Sequence, residues 1–278
     1  MTRFFSFGCS FTQNAWPTWS DCLGPNFDQY ENWGFCGAGN HYIFNSVVEC
    51  NQRNRFTKND TIIVQWTSSL REDRYMDLTN QFKFKDWPVT RWKNTTGWIT
   101  PGNITSQNFF DDDFIYKYVL GSEKGFFIRD MAYIQSIRSL LESTGCTWKF
   151  ISMLPMTQLK QENNSHMCYY NAQPVCDMDV HEVVDLYSDT LASILPSFFE
   201  VLFQFNWNSR RPYYSITDHH PLPIEAVEYL DIVLPEFPVC AEVREYCIQS
   251  TQALVDCGEP LPFSVGENHL ARRVAHRL

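Results

Sequence analysis

Near its N-terminus the chain runs Arg3-Phe4-Phe5-Ser6-Phe7-Gly8-Cys9-Ser10-Phe11-Thr12. Arg3–Phe7 is a short apolar run closed by a glycine, the signature of a buried strand. Gly8 permits a tight turn, and Ser10 then sits just past the sheet edge. Taken alone, that serine either caps the next helix or turns its hydroxyl and amide toward a cleft.

Two more runs of this kind follow. Residues 61–66 read as a buried strand, with Asp60 before and Thr67-Ser68-Ser69 after, and residues 147–154 as another. Residues 31–35 are a further strand candidate. Between them lie helical patterns. Residues 16–23 form a short one bounded by Pro17 and Gly24. Residues 40–51 carry Ile43, Phe44, Val47 and Val48 at helical spacing, with Asn40 as the N-cap. Residues 126–143 place Ile134, Ile137, Leu140 and Leu141 on one face and stop at Gly145. Residues 180–195 and 225–233 complete the set, and residues 155–174 read as irregular.

Strands alternating with helices imply βαβ units and a parallel sheet covered on both faces. The expected fold is therefore a three-layer α/β/α, flavodoxin-like domain with a mainly parallel sheet of four or five strands. We expect residues 1–240 to form it, with an aromatic-rich insertion at about 71–120, and residues 241–278 to form a C-terminal helix and tail. In such sheets, chemistry gathers at the C-terminal ends of the strands.

Composition narrows the function. Of 278 residues, 44% are hydrophobic and 19% charged, which excludes a disordered, collagen-like or coiled-coil chain. No apolar run approaches the roughly 20 residues of a membrane helix. A net charge of −10 argues against nucleic acid as a partner. The first residues lack a secretory pattern, so a reducing, cytoplasmic compartment is expected. The 10 cysteines include no C-x-x-C pair, so we expect reduced, mostly buried thiols, no disulfide between Cys9 and Cys36, and no metal or cofactor.

The strand ends supply the candidate chemistry. Asn32-Trp33-Gly34-Phe35-Cys36-Gly37-Ala38-Gly39-Asn40 has three glycines opening a helix, which lets backbone amides approach a bound group. Its G-x-x-G-x-G order is not the dinucleotide fingerprint. Thr67, Ser68 and Ser69 either offer hydroxyls to the same cleft or form a polar turn. Late in the chain, Thr217-Asp218-His219-His220-Pro221 sets two histidines beside an acid. It suits a general base with an orienting carboxylate, or a surface turn.

Together these segments resemble the SGNH, or GDSL-like, hydrolase superfamily over roughly residues 3–235. Gly8-Cys9-Ser10 matches its Gly-Asp-Ser block. Asn32, Gly34 and Gly37 match N-x-G-x-x-G, and Asp218, His220 and Pro221 match its last block. The spelling is similar to a divergent branch common among phage and environmental proteins. Two departures stand out. Trp66-Thr67-Ser68-Ser69 replaces G-x-N-D, leaving Ser68 in place of the oxyanion-binding Asn, and D-x-H replaces D-x-x-H.

The resemblance implies ester hydrolysis by acyl transfer. Ser10 is the nucleophile, His220 its base and Asp218 the orienting acid, while Ser10, Gly37 and Ser68 form the oxyanion hole. Register with the family selects Ser10 over Cys9. Pro221 biases His220 to an extended backbone, which points His219 away from Asp218 and His220. Arg71 and Arg74 either bind an acidic group of the substrate or are surface arginines. Trp87, Trp92, Trp98, Phe109, Phe110, Tyr116 and Tyr118 either pack a core or stack on a sugar. The expected partner is a small-molecule or carbohydrate ester, with neither nucleic acid nor membrane. The alternative class is a non-catalytic SGNH-like module, such as a phage virion component, whose partners are other virion proteins or further copies of itself.

Overall fold

The computed structural model describes residues 1–76, 97–100, 123–162, 164–170, 173–178, 181–206 and 219–257. Its main sheet holds β1 (Arg3–Phe7), β2 (Gln29–Asn32), β3 (Asp60–Trp66) and β6 (Thr147–Ser152). The order is β2-β1-β3-β6, with every neighbour parallel. Ile194 adds a single parallel bridge to Phe150 beyond β6. The chain steps one way from β1 to β2 and then crosses back to β3, so the order reverses between β1 and β3. A crevice at the C-terminal edge is expected at that switch point.

α1 (Trp19–Leu23) makes the first crossover, α2 (Asn40–Asn54) the second, and α3 (Glu123–Thr144) precedes β6. Right-handed crossovers put α1 on one face and α2 and α3 on the other. The packing agrees: α2 lies on α3, while α1 lies on α7 (Pro223–Val233), which carries α8 (Ala241–Cys257). The result is a three-layer α/β/α fold.

Aromatic rings build much of its centre. Phe4, Phe5 and Phe7 are buried on β1. Phe4 stacks on Phe27 and Tyr30, Phe5 meets Phe56, and Phe7 meets Trp33. Burying each such side chain is worth about 2–3 kcal/mol. Register is pinned at the strand start, where Arg3 Nε and Nη2 donate to the two Asp60 carboxylate oxygens at 2.7 and 2.6 Å. Those bonds hold the Asp60 carboxyl below its usual range, against the opposing effect of burial. α3 buries Phe127, Asp130, Met131, Ile134, Ile137 and Leu141, one stripe at helical spacing.

Several sequence expectations are corrected. β2 starts and ends earlier than residues 31–35, since Trp33 and Phe35 bury their side chains or pack on the core after the strand has ended. α1 begins at Trp19, because Thr18 and Asp21 form a capping box behind Pro17. Residues 155–174 are not irregular throughout. They contribute to a small antiparallel sheet of β7 (Gln158–Leu159), β8 (His166–Tyr170) and β9 (Gln173–Met178). The helix expected at 180–195 is two, α4 (His181–Leu186) and α5 (Ser188–Ala192), broken at Tyr187. In the insertion, β4 (Arg74–Met76) pairs antiparallel with β5 (Gly97–Ile99). Trp98 packs edge-on against His41, Tyr42 and Tyr75, so this ring covers α2. The other insertion aromatics named above, and residues 258–278, lie outside the described residues.

Candidate active site

Three strand ends and a late loop meet at the C-terminal edge of the sheet. β1 leaves the sheet at Gly8, where a Cβ would sit 2.0 Å from Thr12 Oγ1 and 2.9 Å from Gln65 Oε1. Only glycine fits so close an approach. The chain then makes one helical turn, with the Cys9 carbonyl accepting the N–H groups of Thr12 at 2.9 Å and Gln13 at 3.0 Å.

Thr12 anchors that turn from three sides. Its hydroxyl bonds the Gln65 side chain of β3. Its carbonyl accepts from Asn32 Nδ2 at 2.8 Å and from the Thr18 hydroxyl at 2.7 Å. Ser10 is thus carried on a turn tied to β2, β3 and the start of α1. It is 5% exposed. Its neighbour Cys9 is fully buried, with its thiol 3.7 Å from Met153 Sδ. The two adjacent side chains therefore differ in placement: the Cys9 thiol is packed on Met153, while no hydrogen bond engages the Ser10 hydroxyl among the described residues.

The glycine-rich turn follows β2. Asn32 Oδ1 accepts the Gly34 N–H at 2.9 Å, and a Cβ on Gly34 would lie 2.9 Å from Thr12 Cβ. Gly37 has a φ of 81°, which favours glycine. At the start of α2, however, the backbone amides already have a partner. The Asp73 carboxylate accepts the N–H groups of Gly39 at 2.8 Å and Tyr42 at 2.9 Å. An internal carboxylate thus holds these two amides at the start of α2. Burial pushes the Asp73 carboxyl up to about 7, outweighing those two N–H bonds.

Asn40 is not the N-cap, which is Gly39. Its side chain is fully buried and clamps the end of β3. Oδ1 accepts the Thr67 N–H at 2.8 Å, while Nδ2 donates to the Thr67 carbonyl at 2.9 Å and to Asp130 at 2.6 Å. Asp130 also accepts from Arg129 Nε at 2.9 Å, and Arg129 donates to Glu72 and to the Ser69 carbonyl. Burial raises the Asp130 carboxyl even beside that guanidinium.

Ser68 lies just past β3, and its oxygen accepts the Leu70 N–H at 3.2 Å. Arg71 is built into the wall of the edge. Its Nη1 donates to the Ala38 carbonyl at 2.9 Å and its Nη2 lies 3.5 Å from Met153 Sδ. Arg74 opens β4, and its side chain falls outside what is described.

His220 reaches this edge from the far end of the chain. Its ring centroid lies 5.4 Å from that of Phe11, the residue after Ser10, and 6.2 Å from that of Trp16. Trp16 Nε1 donates to the Pro221 carbonyl at 2.9 Å, fixing the loop. His219 is exposed and His220 half-buried. Asp218 and Thr217 lie outside the described residues.

Sequence reasoning missed Thr12, Gln65, Asp73, Asp130 and Met153. Asp130 had a signal: it sits on the apolar stripe of α3. Asp73 had none, since its partners are fixed only by the fold. A separate cavity of about 240 Å³ opens at the end of β6, lined by Ser152, Met156, Leu191, Ile194, Pro196 and Glu200. Glu200 there, on α6 (Phe198–Val201), accepts the Ser197 N–H at 2.7 Å and so caps that helix. Among the described residues, no group of three or more His, Cys, Asp or Glu is placed to hold a metal ion, and no helix is long and apolar enough to cross a membrane.

No protein-family model and no curated protein matches the chain. Among solved structures, one similar to it is a member of the lipolytic protein G-D-S-L family from Veillonella parvula. The two share 12% identity over 84% of this chain and 98% of that one, at a TM-score of 0.41.

Proposed function

We propose that the protein is a serine esterase of SGNH type that hydrolyses a carboxylic ester, an O-acetyl carbohydrate being one such substrate. Ser10 Oγ attacks the ester carbonyl while His220 takes its proton and returns it to the leaving alcohol. Water, activated by the same imidazole, then releases the acid. Asp218 holds the imidazole in the required tautomer. The N–H groups of Ser10 and Gly37, with the Ser68 hydroxyl, face the developing oxyanion, each donor being worth about 3 kcal/mol in the transition state. Arg71 and Arg74 receive an acidic group of the substrate.

One observation carries this reading. The His220 ring packs on Phe11, beside a serine that sits on a glycine-pinned turn at the switch point. The test is hydrolysis of a short p-nitrophenyl ester by the full chain. Ser10→Ala and His220→Ala should each lower the rate by about 10³-fold or more, and Asp218→Asn by less. Unchanged hydrolysis by Ser10→Ala would remove Ser10 from the mechanism. The second reading, a non-catalytic module such as a virion component, is favoured by Ser68. It stands where the family's Asn would donate, and offers a single O–H on a shorter side chain than that amide. Wild-type protein without esterase activity would select that reading.

A further inference from the structure

We infer that Cys22 and Cys247 are a cross-linking site, joined as a disulfide when the protein meets an oxidising thiol buffer. Cys22 lies on α1 and Cys247 on α8, at opposite ends of the sequence. Their sulfur atoms are 3.4 Å apart, in hydrogen-bonding contact, and both residues are fully buried. No chain need move far for the sulfurs to reach bonding distance. The other described cysteines differ: Cys9 faces Met153, Cys50 lies against Asn54, Cys146 sits near the Leu141 carbonyl, and Cys36, Cys240 and Cys257 are exposed.

The surroundings fit the chemistry. Arg244, one turn before Cys247 on α8, is held by Asp231 at 2.8 and 2.9 Å, and its charge acts on the Cys22 thiol. A guanidinium there favours the thiolate that attacks. Burial and the partner thiol act the other way on Cys22 and raise its pKa. The reaction therefore needs α8 to lift transiently, or proceeds as α8 docks during folding. The step balances with oxidised glutathione as oxidant. The Cys22 thiolate attacks one glutathione sulfur and expels glutathione. The Cys247 thiolate then attacks the mixed disulfide and expels the second, so two protein thiols are oxidised and one glutathione disulfide becomes two thiols.

The bond would fix more than two helices. Farther along α8, Leu254 packs with Trp16 and Leu222, and Thr251 Oγ1 accepts the Ile224 N–H at 3.0 Å. Trp16 in turn holds the Pro221 carbonyl. Locking α8 on α1 therefore also braces the loop carrying His220.

The experiment equilibrates the full chain in glutathione buffers of increasing oxidised fraction, alkylates the remaining thiols in denaturant, and maps peptides without reduction. The expected result is a linked Cys22–Cys247 peptide as the main product. The melting temperature should rise by roughly 5–15 °C on oxidation, a rise that is lost in Cys247→Ser and in Cys22→Ala. If both cysteines stay alkylatable at every ratio, or another pair forms the main link, the inference is overturned. An equal rise in both variants would overturn it as well.

Discussion

Asp73 shows how one buried side chain sets a pH dependence. Its carboxyl, raised by burial to about 7, binds a proton in the folded protein at pH values where the unfolded chain has already lost it. The folded state thus holds more protons between about pH 4 and 7, so stability from this residue falls as pH rises through that window. Asp73→Asn keeps an acceptor for Gly39 and Tyr42 and removes the titration. Melting curves from pH 5 to 8 should fall less steeply for this variant than for wild type, and parallel curves would refute the assignment. Asp73 was illegible in the sequence, because it lies in the loop after β3 and its partners are at the start of α2, some thirty residues earlier. Ser10 was legible because its placement is local: a strand, a glycine and a turn lie within a few residues. His220 was legible as a candidate through Pro221 and Asp218, but its contact with Phe11 depends on the whole fold.

At the scale of elements, the run of large apolar side chains decided what could be read. β1 was anticipated to the residue and β3 to within one, because each is built on a compact apolar run, Phe4-Phe5 with Phe7 or Ile62-Ile63-Val64 with Trp66, ended by Gly8 or by Thr67. β2 is Gln29-Tyr30-Glu31-Asn32, whose polar sequence gives no such run, and the buried Trp33 drew the expected strand past its end. The small β7-β8-β9 sheet is formed by pairing between segments, which apolar periodicity does not report. The joints between elements rest on buried polar groups. Asn40 ties the start of α2 to the end of β3 and to Asp130 on α3. Asn40→Ala leaves the Thr67 backbone and a buried carboxylate short of partners, which should cost about 2–4 kcal/mol in urea unfolding. A loss below about 0.5 kcal/mol would mean that water replaces the amide. Gly8→Ala puts a methyl group against Thr12 and Gln65, and should lower both stability and ester hydrolysis.

Across the whole molecule, residues from both ends of the chain converge on one edge of the sheet. The N-terminal strand supplies Ser10, the late loop supplies His220, and α8 supports that loop through Leu254, Leu222 and Trp16. Leu254→Ala should therefore destabilise the protein by about 2–4 kcal/mol and also slow ester hydrolysis. Ile248→Ala, on an exposed part of the same helix, should change neither by much. Equal effects of the two substitutions in unfolding and rate assays would deny α8 that supporting role. In the proposed function, this convergence makes Ser10 a nucleophile activated by His220. That role is tested most directly by treating the full chain with a serine-reactive fluorophosphonate and mapping the modified peptide by mass spectrometry. A single adduct on Ser10 is expected, absent in Ser10→Ala and strongly reduced in His220→Ala. An unlabelled protein, or an adduct on a residue other than Ser10, would contradict it.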